Sequence, residues 1–146
     1  MAATPVISMA AAIAGLNAIT ALIGTAPGVI EIFTGTPPAN TLASDTGTKL
    51  STLTLSSTAF PTAVDGVSNG LATATANAIT SDSSAANTGT AGYFRAKTSA
   101  SGTVIVQGTC GTSSADMIMN TTSIVAGDTV ACSSWVITLP DGTGSD

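Results

Sequence analysis

The sequence predicts an all-β protein of the β-sandwich or jelly-roll-like kind, with a short N-terminal apolar helix. Three observations support this prediction. From residue 27 onward, about seven or eight short segments alternate apolar with polar side chains, and turn-forming residues separate them. Threonine, whose β-branched side chain suits a pleated sheet, is frequent in the same region. Helical periodicity is confined to the first 24 residues.

The composition indicates one folded domain with an unusually uncharged surface. Only 8% of the 146 residues are charged, against about 25% in an ordinary globular protein, and 44% are hydrophobic. Threonine, serine, glycine and alanine stand in place of the missing charges, and a chain this hydrophobic is not expected to be disordered. A surface with little charge does not keep copies apart, so we expect neighbouring subunits to cover it. We divide the chain into a helical arm (1–26), a β-sandwich domain (27–140) and a tail (141–146).

The predicted helix spans Val6–Gly24. Thr4 suits the cap position before it and Pro5 its first position, while Gly24 and Pro27 would end it. Apolar residues recur at three- and four-residue spacing and predict its packing face. They are Ile7, Ala10, Ala11, Ala14, Ala18, Ile19 and Leu22.

Two other interpretations of this segment compete with a packed helix. A secretory signal needs a positively charged start, and Met1–Ser8 contains no lysine or arginine. A membrane span needs about 20 apolar residues, and here Ser8, Asn17 and Thr20 interrupt the run. We therefore expect a helix that packs on its own domain or on a neighbouring subunit, with signal and span as the alternatives.

The first predicted strands are Gly28–Phe33 and Lys49–Leu55. Thr34–Asn40, which follows the first of them, is predicted to be a loop because its two prolines remove backbone donors. Leu50 is out of phase with the alternation of its strand, which indicates a bulge or a strand edge. The third strand, Gly70–Ile79, has one face made only of alanine. Such a face allows another backbone or sheet to approach closely.

A β-hairpin is predicted from Gly92–Thr98 and Thr103–Thr109, joined by the short loop Ser99–Gly102. The last two predicted strands are Asp116–Asn120 and Asp128–Leu139, and the turn-forming sequence PDGTG ends the second of them. In the hairpin, alternation places one set of side chains on each face. Tyr93, Arg95 and Lys97 share one face, and Phe94, Ala96 and Thr98 share the other.

The residues that could carry chemistry are few. The chain has no histidine, so no Ser/His/Asp or Cys/His arrangement can form. Its eight acidic residues are scattered and predict neither a calcium loop nor an acid pair, and no Cys/His set predicts zinc. Three basic residues and a net charge of −5 argue against nucleic-acid binding. We expect no catalytic, cofactor or metal site, and no enzyme.

The cysteines and aromatic residues suggest packing rather than binding. Cys110 and Cys132 are interpreted as small buried hydrophobic residues, with a disulfide between them as the alternative. Trp135 lies within an apolar strand and is expected in the core. Tyr93, beside Arg95, is a candidate exposed aromatic, and it is the main feature that favours a glycan-binding domain.

Several motifs carry a family resemblance. They are GVIEIFTGTPPAN near the start, ITSDSSAANTGTAGYFR in the middle, and TSIVAGDTV with a final strand that ends in TLP. Together, over roughly residues 28–140, they resemble small virion proteins of tailed bacteriophages, of the head decoration (cement) type. The resemblance implies a β-sandwich that self-associates and has no catalytic residues.

The expected function is therefore to decorate and stabilise a bacteriophage capsid by bridging major capsid subunits. The expected partners are the major capsid protein and other copies of the chain, as a trimer or dimer, with no nucleic acid, membrane or cofactor. The protein would be assembled in the host cytoplasm and lie on the virion surface. A tail, collar or neck component is the alternative, and a secreted adhesin or glycan-binding domain is the second. The candidate subunit-contact residues are Ile7, Ile13, Leu16, Ile19, Leu22, Pro37, Pro38, Tyr93 and Arg95.

Overall fold

The computed structural model describes residues 6–24, 27–66 and 70–141, and within them one helix precedes ten strands. The helix α1 is Met9–Gly24. The strands are β1 (Val29–Thr34), β2 (Lys49–Leu55), β3 (Val64–Asp65), β4 (Leu71–Thr75), β5 (Ile79–Thr80), β6 (Gly89–Lys97), β7 (Val104–Gly111), β8 (Met117–Met119), β9 (Ser123–Ile124) and β10 (Cys132–Pro140).

The strands form one continuous curled sheet in the order β3-β4-β10-β8-β7-β6-β1-β2-β5, and β9 pairs with the start of β6. A bridge between Asp82 and Val130 links the chain after β5 to the segment before β10, so the curl is tied together at that end. The Asp82 carboxylate adds to this tie, because it accepts hydrogen bonds from the Ser51 hydroxyl and the Thr52 N–H. The all-β class with one N-terminal helix is confirmed. The jelly-roll arrangement is not.

Most predicted strands are present with small shifts of their ends. Lys49–Leu55 has the predicted bounds, and Leu50 is the extra residue of a bulge, because Ile32 pairs with Ser51 and Phe33 with Lys49. The predicted strand Gly70–Ile79 is divided in two, as β4 and β5. The two-residue strands β3 and β9 were not predicted, because neither has enough residues to show alternation.

The helix differs from the prediction at its start and in its buried face. It begins at Met9 instead of Val6, because Ser8 caps it: the Ser8 hydroxyl accepts from the Ala11 N–H. The predicted cap, Thr4 with Pro5, lies outside the described residues. The face that packs on the sheet is Ala12, Leu16, Thr20 and Ile23, which is opposite to the predicted face.

The main core lies on the inner side of the curled sheet, beneath α1. Trp135 packs edge-on against both Phe60 and Phe94, with ring centroids 5.1 and 5.3 Å apart, and is only 2% exposed. Its predicted place in the core is confirmed. The predicted close approach to the alanine face of β4 is made by a helix, since α1 packs against β4 and β10. Gly15 permits this approach, because a Cβ at that position would lie 3.2 Å from Leu139.

A second buried layer covers the outer face of β1 and β6. Phe33 stacks on Tyr93 with ring centroids 5.0 Å apart, and both rings are buried. Glu31 is buried in the same layer and forms ion pairs with Lys49 and Lys97. The chain from Gly35 to Thr48, which we call the Arg95 loop, covers this layer. As a result β1 is buried on both faces, although its outer face is partly polar.

Candidate contact surfaces

The Arg95 loop is held by a buried guanidinium. Arg95 lies in the middle of β6 and is 2% exposed. Its Nη1 donates to the Ala43 carbonyl at 2.9 Å and to the Asp45 carboxylate, and its Nη2 donates to the Thr41 carbonyl at 2.7 Å. A weaker contact of 3.5 Å reaches the Asn40 carbonyl. Because a guanidinium presents donors in a fixed planar fork, one side chain fixes the loop at several points between Asn40 and Asp45.

Two neighbours of Arg95 on the same face of the sheet fix the rest of the loop. The Tyr93 hydroxyl accepts from the Thr46 N–H and donates to the Thr46 carbonyl. Gln107, the cross-strand partner of Arg95, donates from Nε2 to the Pro38 carbonyl at 2.7 Å. These three side chains hold the loop from Pro38 to Thr46, so it is a pinned part of the fold.

The pinned loop presents one apolar side chain to solvent. Leu42 is 90% exposed, more than any other large hydrophobic residue that the structure describes. Its backbone is locked by Asn40, whose Oδ1 accepts from the N–H groups of Leu42 and Ala43 at 2.9 Å each. Because the fold holds this leucine rigidly in water, its side chain becomes buried only when another molecule covers it.

The second surface is the outer face of α1, and its polarity is the reverse of an ordinary surface helix. The only polar side chains of the helix, Asn17 and Thr20, point toward its own chain. Asn17 Oδ1 accepts from the Ala63 N–H at 2.7 Å, and Thr20 is buried. The exposed side consists of apolar residues with no charge among them, and we call it the alanine face. It is formed by Ala10, Ala11, Ala14, Ala18, Ala21 and Leu22.

A helix that is apolar all round is normally buried on every side. Within the described residues, no helix is long and apolar enough to cross a membrane. The inner side of α1 is covered by β4 and β10, while Leu22 on the outer side is 52% exposed. The alanine face and the Arg95 loop lie on opposite sides of the sheet, so the molecule has two separate surfaces suited to contact.

The structure divides the predicted contact residues into three groups. Ile7 and Leu22 are exposed on the helical side, and Ile13, Ile19 and Pro37 are half-buried. The remaining four are buried inside their own chain, which corrects their assignment as surface contacts. They are Leu16, Pro38, Tyr93 and Arg95. Tyr93 and Arg95 act on the contact surface indirectly, because they hold the loop that presents Leu42.

Leu42 was missed because a single leucine between strands has no periodicity. The signal that could have found it is local: in NTLAS, an Asn that forms a turn over the next residues precedes an isolated apolar side chain in a polar loop. The burial of Arg95 had no such signal, because its partners lie about 50 positions away along the chain.

The remaining candidate sites carry little chemistry. Cys110 and Cys132 are free thiols and half-buried, and burial raises the pKa of Cys110 to about 12. No group of three or more metal-binding side chains occurs in the part of the chain that the structure describes. A groove of about 490 Å³ is open to solvent between α1 and residues 57–62, and none of the described residues that line it is charged. Comparisons of the chain with protein families, with curated proteins and with solved structures find no match.

Proposed function

We propose that the chain is a structural virion protein that decorates and stabilises a bacteriophage capsid by bridging major capsid subunits. The observation that carries the proposal is the reversed polarity of α1, whose polar side chains face inward and whose alanine face lies outward. Such a helix has its apolar surface covered on both sides only when a neighbouring subunit packs against it. The resemblance to small phage virion proteins supports a particle as the place where this occurs.

Bridging requires two separate contact surfaces, and the fold has them. The alanine face lies on one side of the sheet and the pinned Leu42 on the other, so one copy can contact two neighbours. Each contact can be weak, because the many copies on a lattice act together. The charges agree with this function: all three basic side chains are in ion pairs with Glu31 or Asp45, so they form no free basic patch of the kind that binds nucleic acid.

The alternatives differ in what the structure supports. A tail, collar or neck component would use the same two surfaces, and copy number per particle separates it from a decoration protein. Hundreds of copies are expected on a shell and roughly a dozen in a ring. A glycan-binding domain usually stacks sugars on exposed aromatic rings. All five aromatic residues of the chain are buried: Phe33, Phe60, Tyr93, Phe94 and Trp135. Decoration is therefore favoured over glycan binding.

The test is reconstitution on particles that lack the chain. In the double variant Ala14→Glu with Ala18→Glu, the helix is retained because glutamate is a good helix former, but two charges lie on the alanine face. We expect this variant to bind particles at least roughly tenfold more weakly, because an unpaired charge is costly to bury. Ala86→Glu, an exposed alanine on neither surface, is the matched control. Equal binding of both variants would refute the alanine face of α1 as a contact surface, and no binding by wild-type protein would refute decoration.

A further inference from the structure

The sheet contains a gap beside its shortest central strand. β8 has three residues and lies between β7 and β10, pairing with Cys110–Gly111 on one side and Cys132–Trp135 on the other. Beyond β8, the facing edges of β7 and β10 have no strand between them in the described chain. A cavity of about 160 Å³ occupies this position, which we call the β7–β10 cleft. Val106 and Thr138 line its sides, and Phe94 and Trp135 lie at its base.

The backbone of both edges points into the cleft. The Thr109 N–H donates to Asp116 and therefore points away from β6. Because backbone groups alternate in direction along a strand, the backbone N–H and C=O of Gln107, two residues earlier, also point away from β6. On β10, the Trp135 carbonyl accepts from Ala76 on the β4 side, so the backbone of Thr138 points away from β4. Within the described residues, β7 and β10 pair with no strand on the cleft side at Gln107 and Thr138, and no backbone bond outside the sheet reaches these two residues.

At its β8 end, the cleft has the width of one strand. Through β8, Cys110 is level with Met117 and Met117 with Trp135. Since β7 and β10 run in opposite directions, counting three residues along each places Gln107 level with Thr138. Where β8 fills the space, the two edges are separated by two strand spacings, about 10 Å. A strand placed on the line of β8 ahead of Asp116 could therefore bond to both edges at once.

The side chains of the cleft lack the features that normally protect a strand edge. Neither Val104–Thr109 nor Val136–Leu139 contains a charged residue or a proline, which are the usual means of preventing strand addition. The one ionisable side chain that lines the cavity is Asp116, and its Oδ2 already accepts from the Thr109 N–H and hydroxyl. An incoming strand would meet apolar side chains on its inner face and a negative charge at its end.

The geometry points to the β7–β10 cleft as an acceptor for one extended β-strand donated by a different protein. The donor is uncharged along the cleft and has small apolar side chains at every second position, because those side chains would lie over Phe94 and Trp135. The described strands do not supply it, since each one of four residues or more already has a neighbour on both sides. The inference is independent of the proposed virion function.

The test is selection from a display library of random octapeptides on the full-length protein. We expect the selected peptides to lack acidic residues and to alternate small or β-branched apolar with polar residues. Thr138→Pro removes an N–H that faces the cleft and makes no hydrogen bond to β4. We therefore expect roughly tenfold weaker peptide binding, measured by fluorescence anisotropy. Thr138→Val keeps that N–H and should bind as the wild type does. Failure to enrich any such peptide, or equal binding to Thr138→Pro, would overturn the inference.

Hydrogen exchange on the wild-type protein tests the same inference without a variant that could misfold. Bound peptide should slow exchange at the Gln107 and Thr138 amides, while Val106 and Ile137, whose amides face β6 and β4, should change little. Unchanged exchange at Gln107 and Thr138 would refute strand addition. Protection of these amides that rises with protein concentration alone would identify a second copy as the donor, and would refute a donor from another protein.

Discussion

Replacement of Arg95 tests whether the Arg95 loop is held in the way that the contacts indicate. In Arg95→Met the volume of the side chain is largely kept, while the bonds to the carbonyls of Asn40, Thr41 and Ala43 are lost. Hydrogen bonds from a charged donor contribute about 1.5–3 kcal/mol each. The freed carbonyls regain water when the loop lifts, and removal of a buried guanidinium relieves its desolvation. Asp45 is 41% exposed, so that ion pair adds less than about 1 kcal/mol.

The expected net loss for Arg95→Met is therefore about 2–4 kcal/mol of the free energy of unfolding. Urea unfolding followed by Trp135 fluorescence measures it, because the single tryptophan is buried. Thermolysin, which cuts at leucine, should cleave the variant near Leu42 under native conditions and spare the wild type. The control is Lys97→Met, which removes a neighbouring cation. Its partner Glu31 remains paired with Lys49, so the loop should stay resistant to thermolysin. Wild-type stability and resistance in Arg95→Met would show that the Arg95 contacts do not hold the loop.

Four further predictions concern backbone packing and titration. Gly92→Ala should cost about 3 kcal/mol or more, because its Cβ would lie 1.9 Å from the Gly35 carbonyl oxygen. Gly35→Ala has open space but a φ of +84°, and should cost only about 1–2 kcal/mol in the same urea assay. Burial raises the pKa of Asp82, but hydrogen bonds from Ser84, Thr52 and Ser51 outweigh it and lower the pKa below the ordinary value of an aspartate. Its stabilisation is present above about pH 4 and lost as pH falls through the lowered pKa. Asp82→Asn should therefore flatten the acid side of the stability profile, and an unchanged profile would contradict this. Because burial raises the pKa of Cys110 to about 12, folded protein should react far more slowly with iodoacetamide at pH 8 than unfolded protein. The stability that this thiol contributes should decline as pH rises above about 9, and equal reactivity in both states would refute its burial.

The strands could be predicted from the sequence because their signals are local. Alternation over Lys49–Leu55 and over the two arms of the hairpin fixed which residues share a face, and the out-of-phase Leu50 marked the bulge. The face of α1 that packs could not be predicted in this way, since apolar residues occur on both sides of the helix. The choice depends on the Ala63 N–H, which binds Asn17 from 46 positions away.

The candidate contact surfaces depended on contacts that alternation does not contain. Arg95 alternates with apolar residues as an exposed side chain would, and it is buried because a distant loop folds over it. The β7–β10 cleft arises because β8 ends after three residues and because β7 and β8 run parallel. Neither the length of a neighbouring strand nor its direction can be deduced from the residues of β7 or β10.

Electron microscopy of the assembled particle tests most directly whether another subunit covers the alanine face. Density from a neighbouring subunit should meet α1 along Ala14 and Ala18, with Leu42 in contact on the opposite side of the sheet. A particle that contains the chain with α1 facing solvent along its whole length would contradict it.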